Sequence, residues 1–402
     1  MKLPPAPWQK RPGMAELLTA LSADAGETRY VGGCVRDTLL KVEASDVDLA
    51  TRLAPEEVIR RLKAAKIKAI PTGLAHGTVT AVIAGKPVEV TTLRRDVSTD
   101  GRRATIEYTD DWKEDAGRRD FTINALSADP ASGTIHDYFG GLDDLKAGRV
   151  RFIGEALRRI AEDHLRILRF FRFHGRFGRG EADGEALAAC SARANDLMAL
   201  SRERIADELL KILALPDPAP TVALMAAQGI FAPVLPEIAA EGVERLHFLI
   251  RRERAAGVAP DGVRRLGALL PRDALVAVGV GTRLRMSNAI RLRLGCIAER
   301  GETGRPDALA YRVGAECAVD RMLLDEGLSD PAPSIASLAE WEKPRLPVRG
   351  GALIARGLPA GRIVAATMQA IERDWIEQGF PDAETLEPAI AARVAQALRD
   401  TQ

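Results

Sequence analysis

The chain has 402 residues, 46% hydrophobic and 28% charged, with a formal net charge of +1, an ordinary globular composition with length for two or more domains. No run of about 18 apolar residues is long enough to span a membrane, and Met1 to Trp8 lacks an apolar core of signal-peptide length, so a cytoplasmic protein is expected. Cys34, Cys190, Cys296 and Cys317 form no C-x-x-C pair and the five histidines no H-x-x-x-H, which argues against a zinc site or a disulfide frame and for small hydrophobes in a reducing compartment.

In chain order, residues 14–24 read as a short amphipathic helix. Strands are predicted at 28–31, 46–51, 67–70, 76–84, 86–93, 134–138 and 150–153, with helices at 35–42, 55–65 and 120–127. This mixture predicts a compact α+β domain on one sheet. The polar, charged stretch 96–117 reads as a loop, either a lid or an insert without a role. After Gly154 the pattern turns helical: 157–177, 184–198, 202–214, 219–228, 242–256, 262–269, 285–299, 306–325, 335–341, 361–378 and 385–399. Pro216-Asp217-Pro218 and Pro331-Ala332-Pro333 mark boundaries.

The chemistry concentrates near the start. Tyr30-Val31-Gly32-Gly33-Cys34-Val35-Arg36-Asp37 reads as a strand, a tight turn and a helix start, and Ser45-Asp46-Val47-Asp48-Leu49 as a strand carrying two carboxylates. Alternation along a strand turns Asp46 and Asp48 to one face, where two negative charges call for a cation. Glu89, set between valines in 86–93, is a third candidate, because divalent ions take carboxylates from more than one strand. Gly32 and Gly33 let backbone approach a phosphate. Together these parts suggest Mg²⁺-dependent chemistry on a nucleoside triphosphate. No G-x-x-x-x-G-K-[ST] is present and the glycine pair is not a dinucleotide fingerprint. Arginine clusters between Arg94 and Arg179 suit phosphate, although many belong on solvated helix faces.

Read in order, Gly32-Gly33-Cys34-Val35-Arg36-Asp37, Asp46-Val47-Asp48, Arg118-Arg119-Asp120-Phe121-Thr122-Ile123-Asn124-Ala125-Leu126, Gly141-Leu142-Asp143-Asp144-Leu145 and Glu162-Asp163-His164-Leu165-Arg166-Ile167-Leu168-Arg169-Phe170-Phe171-Arg172-Phe173 closely resemble the class II tRNA nucleotidyltransferases (CCA-adding enzymes) and the related bacterial poly(A) polymerases. The resemblance covers about residues 28–180. It implies a polymerase-β-like nucleotidyltransferase head with a small mixed sheet (1–153), followed by an all-α neck (154–215), body (216–330) and tail (331–402), the tail contacting tRNA. It implies that an RNA 3′-hydroxyl attacks the α-phosphate of CTP or ATP, with Mg²⁺ held by Asp46 and Asp48. Gly33 and Arg36 then lie against the phosphates, beside Gly32, and Arg119 reaches the nucleotide from the start of a helix capped by Asp120. Asp163 accepts from the exocyclic amine of cytosine or adenine and Arg166 donates to the ring nitrogen beside it. Arg169 and Arg172 hold ribose or phosphate oxygens, one helical turn after another. For Arg172 the competing reading is an ion pair to a neighbouring helix.

The expected partners are the tRNA 3′ end and acceptor arm, with CTP and ATP as substrates; no membrane and no protein partner is implied. A poly(A) polymerase, or an enzyme adding only CC or only A, shares the same head. A non-catalytic RNA-binding relative is disfavoured by the intact Gly33, Arg36, Asp46 and Asp48.

Overall fold

Residues 1–44, 46–100, 103–299 and 304–400 are described in a computed structural model of the chain; Ser45, Gly101 and Arg102, from stretches singled out above, lie outside them. Contacts divide the chain into two units, Met1–Pro236 and Glu237–Gln402.

In the first unit, α1 (Met14–Ala20) leads into β1 (Thr28–Val31), α2 (Gly33–Leu39), β2 (Asp48–Thr51), α3 (Pro55–Ala64), β3 (Lys68–Gly73), β4 (Thr78–Ile83) and β5 (Lys86–Thr92). Two further short strands, β8 (Ser127–Ala128) and β9 (Ile135–His136), complete a seven-stranded sheet of order β3-β4-β5-β2-β1-β8-β9. Its pairs are antiparallel except β2 with β5. Alternation places Val79, Ala81, Val88 and Val90 inward, and α1 and α3 cover that face with Met14, Leu17, Val58 and Leu62, all buried. Each such side chain contributes about 1.5–3 kcal/mol through lost contact with water.

Several expected elements are corrected. β2 begins at Asp48, so Asp46 precedes the strand rather than belonging to it. Stretch 96–117 is not a loop: β6 (Arg94–Asp100) and β7 (Arg103–Tyr108) pair as a separate two-stranded ribbon, followed by α4 (Trp112–Gly117). Charged strands outside the main sheet carry no apolar alternation, which is why they escape pattern reading. The helix expected at 120–127 is one 3₁₀ turn, Thr122–Asn124, because Ser127–Ala128 is drawn into pairing with β1. At 150–153 a single bridge joins Phe152 to Phe121.

The stretch after α5 (Gly141–Ala147) holds the largest departure. The helix expected at 157–177 is two, α6 (Ala156–Glu162) and α7 (Arg166–Phe177). Between them Asp163 is extended (φ −153°, ψ 106°), accepting the Leu165 N–H on its side chain and the Arg166 N–H on its carbonyl. An aspartate offers the backbone this alternative to a helix, and the apolar period runs through the break unmarked. Ile167, Phe170, Phe171 and Phe173 of α7 are buried, and Phe121 lies 4.8 Å from Phe152 and 5.3 Å from Phe173, ring centre to ring centre. This aromatic cluster fastens α7 to the Phe121–Phe152 bridge beside the 3₁₀ turn. Helices α8 (Gly184–Ala192), α9 (Arg202–Leu213) and α10 (Ala219–Ala227) complete the unit.

Within its described residues the second unit is helical: α11 (Ala240–Ala255), α12 (Gly262–Leu269), α13 (Ala274–Arg283), α14 (Asn288–Ala298), α15 (Pro306–Val313), α16 (Ala315–Leu324), α17 (Ala332–Ala336), α18 (Gly350–Ala355), α19 (Arg362–Glu377) and α20 (Ala383–Arg399). Gly314, at φ +86°, splits the helix expected at 306–325. Helices α13 and α18 were not expected; α13 reads Ala-Leu-Val-Ala-Val-Gly-Val-Gly-Thr-Arg, without a polar face to mark a period. A buried ionic knot ties four helices: Arg264 donates to Glu253 and to Asp320 (2.7 Å each), Arg265 to Glu253 (2.9 Å) and Arg293 to Asp320 (2.7 Å). Cys296 and Cys317 are disulfide-bonded across α14 and α16, correcting the reading of all four cysteines as free. Their proximity arises from helix packing, which spacing does not encode. Cys34 and Cys190 are free and buried.

Truncating Phe121 to Ala is expected to cost about 3–5 kcal/mol, read as a lower denaturant midpoint; an unchanged midpoint would remove the aromatic cluster as the fastening.

Candidate active site

The turn between β1 and α2 is built for close approach. Gly32 sits at φ +71°, its N–H donates to the Leu126 carbonyl (2.9 Å), and a Cβ there would stand 2.8 Å from Nη1 of Arg119. Only glycine allows both that backbone conformation and the guanidinium lying over it. Arg36 is buried, donates from Nε to Asp37 (2.7 Å) and from Nη1 to Oδ1 of Asn124, and faces the Phe177 ring at 4.2 Å. Asn124 returns Nδ2 to Asp120 (2.9 Å), whose other oxygen accepts from Nε of Arg169 on α7 (2.7 Å). Burial opposes ionisation of Asp120, but Arg169, Asn124 and the Phe121 N–H outweigh it and hold its pKa below the usual range.

Parallel register sets Asp48 beside Glu89. Burial first, then the charges of Glu89 and Asp46, push the Asp48 carboxyl up to about 6, with Arg119 pulling the other way. Among the described residues no three His, Cys, Asp or Glu side chains form a ready metal cage. Asp46 is exposed and Asp48 half-buried.

Every residue singled out from the sequence except Glu89 lines one cavity of about 550 Å³. Glu89 is exposed and stands outside that lining. Asp46 and Asp48 thus share a cavity with the arginines of α7, although Asp46 lies outside the strand. The expected Asp163–Arg166 neighbour relation on one helix is corrected: Asp163 sits in the break before α7 and accepts from Nη2 of Arg204 on α9 (2.8 Å). Arg166 donates to Glu162 (2.6 Å) and to the Arg159 carbonyl (2.8 Å). Arg172 pairs with the buried Glu208 of α9, the competing reading given for it. Arg119 does not start a capped helix; its Nη1 donates to the Asn124 carbonyl (3.5 Å). Sequence reasoning missed Asn124 and Asp120 as the link between turn and helix, although both stand in the Arg118–Leu126 block. It also missed Arg204, which carries no local signal, and Arg176, whose Nη2 lies 3.4 Å from Asp37.

Glycine turn, crowded carboxylates and an arginine-faced helix around one cavity suit a polyphosphate and its cation. A family profile, the poly A polymerase head domain, matches residues 28–151, and a second, the probable RNA and SrmB-binding site of polymerase A, matches 183–241. The mitochondrial CCA tRNA nucleotidyltransferase 1 of Mus musculus is 34% identical over 393 residues, 92% of this chain and 87% of that protein. The chain belongs to the tRNA nucleotidyltransferase and poly(A) polymerase family. Within this nucleotidyltransferase family, the CCA-adding enzyme of Oceanobacillus iheyensis is 43% identical over 198 residues, 49% of this chain and 48% of that one. The solved Bacillus stearothermophilus CCA-adding enzyme in complex with CTP is 27% identical at a TM-score of 0.76, covering 97% of this chain and 100% of that one. Family membership points to divalent-metal dependence. Among the described residues no helix is long and apolar enough to cross a membrane.

The raised Asp48 pKa has a thermodynamic sign. A carboxyl that binds its proton more tightly folded than unfolded contributes fully below the unfolded value, near 3.8, and that contribution is lost as pH rises through about 6. In chelator-treated protein, Asp48→Asn is therefore expected to be the more stable form at pH 8, on the order of 1–2 kcal/mol, with the gap closing below about pH 4. Urea midpoints at the two pH values check this, and a pH-independent gap would remove the crowding.

Proposed function

We propose that the chain completes the 3′ end of tRNA by adding C and A from CTP and ATP without a template. What carries the reading is that Asp46, Asp48, Asp163 and the arginines of α7 line one cavity. In the transfer, the RNA 3′-hydroxyl gives up its proton to water, its oxygen bonds to the α-phosphorus, the bond from that phosphorus to the bridging oxygen breaks, and pyrophosphate leaves with that bond's electrons.

Hard carboxylate oxygens, crowded enough to raise one pKa, are a donor set that suits magnesium, which is ordinarily held by one or two carboxylates with phosphate and water filling the rest. Asp46 and Asp48 would hold Mg²⁺, which when bound supplies Lewis-acid activation of the hydroxyl and neutralises triphosphate charge. Glu89 is the third carboxylate of the set, beside Asp48 on the open side. The Gly32–Gly33 backbone admits the phosphates, and Arg36 and Arg119 face them as donors held in place beforehand by Asp37 and Asn124.

Base selection falls to Asp163 and Arg166, with Arg169 and Arg172 toward ribose and phosphate. Reading a base requires an exchange of partners, since Arg204 now donates to Asp163 and Glu162 accepts from Arg166. Cytosine and adenine both offer an exocyclic amine to Asp163. Guanine and uracil present a carbonyl there, leaving a carboxylate facing an acceptor at about 1–3 kcal/mol. We place the activity in the cytoplasm, where the buried free thiols fit; the Cys296–Cys317 bridge runs against that placement.

The deciding assay offers tRNAs ending before, within and after CCA, with CTP and ATP separately and together. The expected product stops at CCA; a lengthening A tract would instead show a poly(A) polymerase, and stalling at CC or refusal of CTP a partial enzyme. Asp46→Ala is expected to abolish incorporation with tRNA binding retained, and activity equal to the parent would remove the metal assignment. Asp163→Ala is expected to relax exclusion of UTP and GTP about tenfold or more while changing triphosphate affinity less. Unchanged base preference would move selection elsewhere.

A further inference from the structure

The peptide that carries Arg119 is gripped by a pair of side chains outside the cavity. Arg119 and Arg166 line the cavity, whereas Arg159 and Glu162 of α6 do not. Arg159 is buried. Its Nη2 donates to the carbonyls of Arg118 (2.6 Å) and Arg119, and its Nη1 to Oε2 of Glu162. That same carboxylate oxygen accepts from Nη1 of Arg166 (2.6 Å), and Nη2 of Arg166 reaches the Arg118 carbonyl at 3.2 Å. Two guanidiniums thus converge on one carboxylate oxygen and on one peptide carbonyl.

The break at Asp163 allows this convergence. Because α6 stops at Glu162, the Arg159 carbonyl has no helical N–H to accept from, and Nη1 of Arg166 supplies the donor (2.8 Å). The side chains of Arg118 and Arg119 are tied elsewhere, to Asp115 at 2.8 and 3.8 Å, so side chains and carbonyls of this peptide are gripped separately. Arg166 must leave Glu162 to reach a base. A carboxylate stripped of its cation away from water is costly, but Arg159 stays on Oε2 and Arg158 stands 3.9 Å from Oε1. Both carbonyls likewise keep a donor when Arg166 turns away.

We propose that Arg159 is a positioning residue for nucleotide binding, a role that rests on the reading of Arg119 and Arg166 given above. Through the two carbonyls it fixes the peptide from which Arg119 reaches the phosphates. By sharing Glu162 it lets Arg166 exchange that carboxylate for a base without leaving it unpaired. The phosphate side therefore keeps its place while the base side changes partners. A guanidinium suits this task because its planar fork serves carboxylate and carbonyls at once, which an ammonium does not.

The test measures equilibrium binding of inorganic tripolyphosphate and of CTP, each with Mg²⁺ and without RNA. The proteins are the parent, Arg159→Met, Arg119→Met and the double variant. Arg159→Met is expected to weaken tripolyphosphate binding about tenfold. It should weaken CTP binding further, because Arg166 is then the one arginine left on Oε2 of Glu162. In the Arg119→Met background the same change is expected to alter tripolyphosphate affinity less than about twofold, since a residue acting through another loses its effect once that one is gone. Equal losses in the two backgrounds assign Arg159 to general packing and overturn the proposal, as does an unchanged tripolyphosphate affinity in Arg159→Met. A CTP loss no larger than the tripolyphosphate loss overturns the sharing of Glu162. Should Arg159→Met melt early, Arg159→Lys, which keeps the charge but not the fork, is expected to weaken tripolyphosphate binding about threefold, and no change overturns the proposal. Because binding is read without turnover, a parent that obeys this cycle but extends no tRNA refutes the proposed reaction and not the positioning role.

Discussion

The site depends on carboxylates that the sheet forces together. Neighbouring strands of a parallel pair lie about 4.8 Å apart, and the β2–β5 register sets Asp48 against Glu89 whatever their charges prefer. Asp46 adds its own field from just before the strand, and burial removes much of the water that would screen Asp48, while Asp46 and Glu89 stay exposed. Hydrophobic packing of Val88, Val90 and Leu49 on the other face holds that register, since a slip of one residue would turn the valines outward. The fold thereby holds electrostatic repulsion in place at the point where a cation is wanted.

Helix α7 performs the matching task from the other side. Its phenylalanines anchor in the head through Phe121 and Phe152, while Arg166, Arg169 and Arg172, spaced by three, turn toward the cavity. The hydrogen-bond chain Arg36–Asn124–Asp120–Arg169 joins the glycine turn to that helix through one neutral amide and three charged side chains. A buried chain of this kind is stable only when every member is satisfied, so it ties the glycine turn to α7 alongside the aromatic contacts.

Much of this site is legible in the sequence because its parts are local. The glycine pair, the two aspartates and the arginines at intervals of three announce themselves within a few residues of one another, and ten of the eleven residues singled out converge on one cavity. What escaped reading depends on tertiary partners. Asp163 leaves the helix because its side chain takes the Leu165 N–H, an event the surrounding apolar period conceals. Arg204 reaches Asp163 from a helix 41 residues away, and Glu208 claims Arg172 from the same helix. The β6–β7 ribbon carries no apolar alternation in its sequence, α13 lacks a polar face to reveal one, and the Cys296–Cys317 bridge follows from helix packing alone.

The pairing of the arginines has a consequence for how the cavity takes its ligand. Six arginines and five aspartates line it, so its formal charge is a single positive unit despite the apparent abundance of cations. A triphosphate carries several negative charges, and arginines already engaged by Asp37, Asp120, Glu162 and Glu208 cannot balance it without giving up those partners. Surrendering a buried carboxylate partner costs several kcal/mol when nothing replaces it, which favours exchange, with phosphate or base substituting for the displaced oxygen. On the proposed reading the remaining imbalance falls at Asp46 and Asp48, where Mg²⁺ would arrive with the nucleotide. Crowded carboxylates and pre-paired arginines are thus two halves of one arrangement: a cavity close to neutral on its own and suited to a triphosphate only together with its cations.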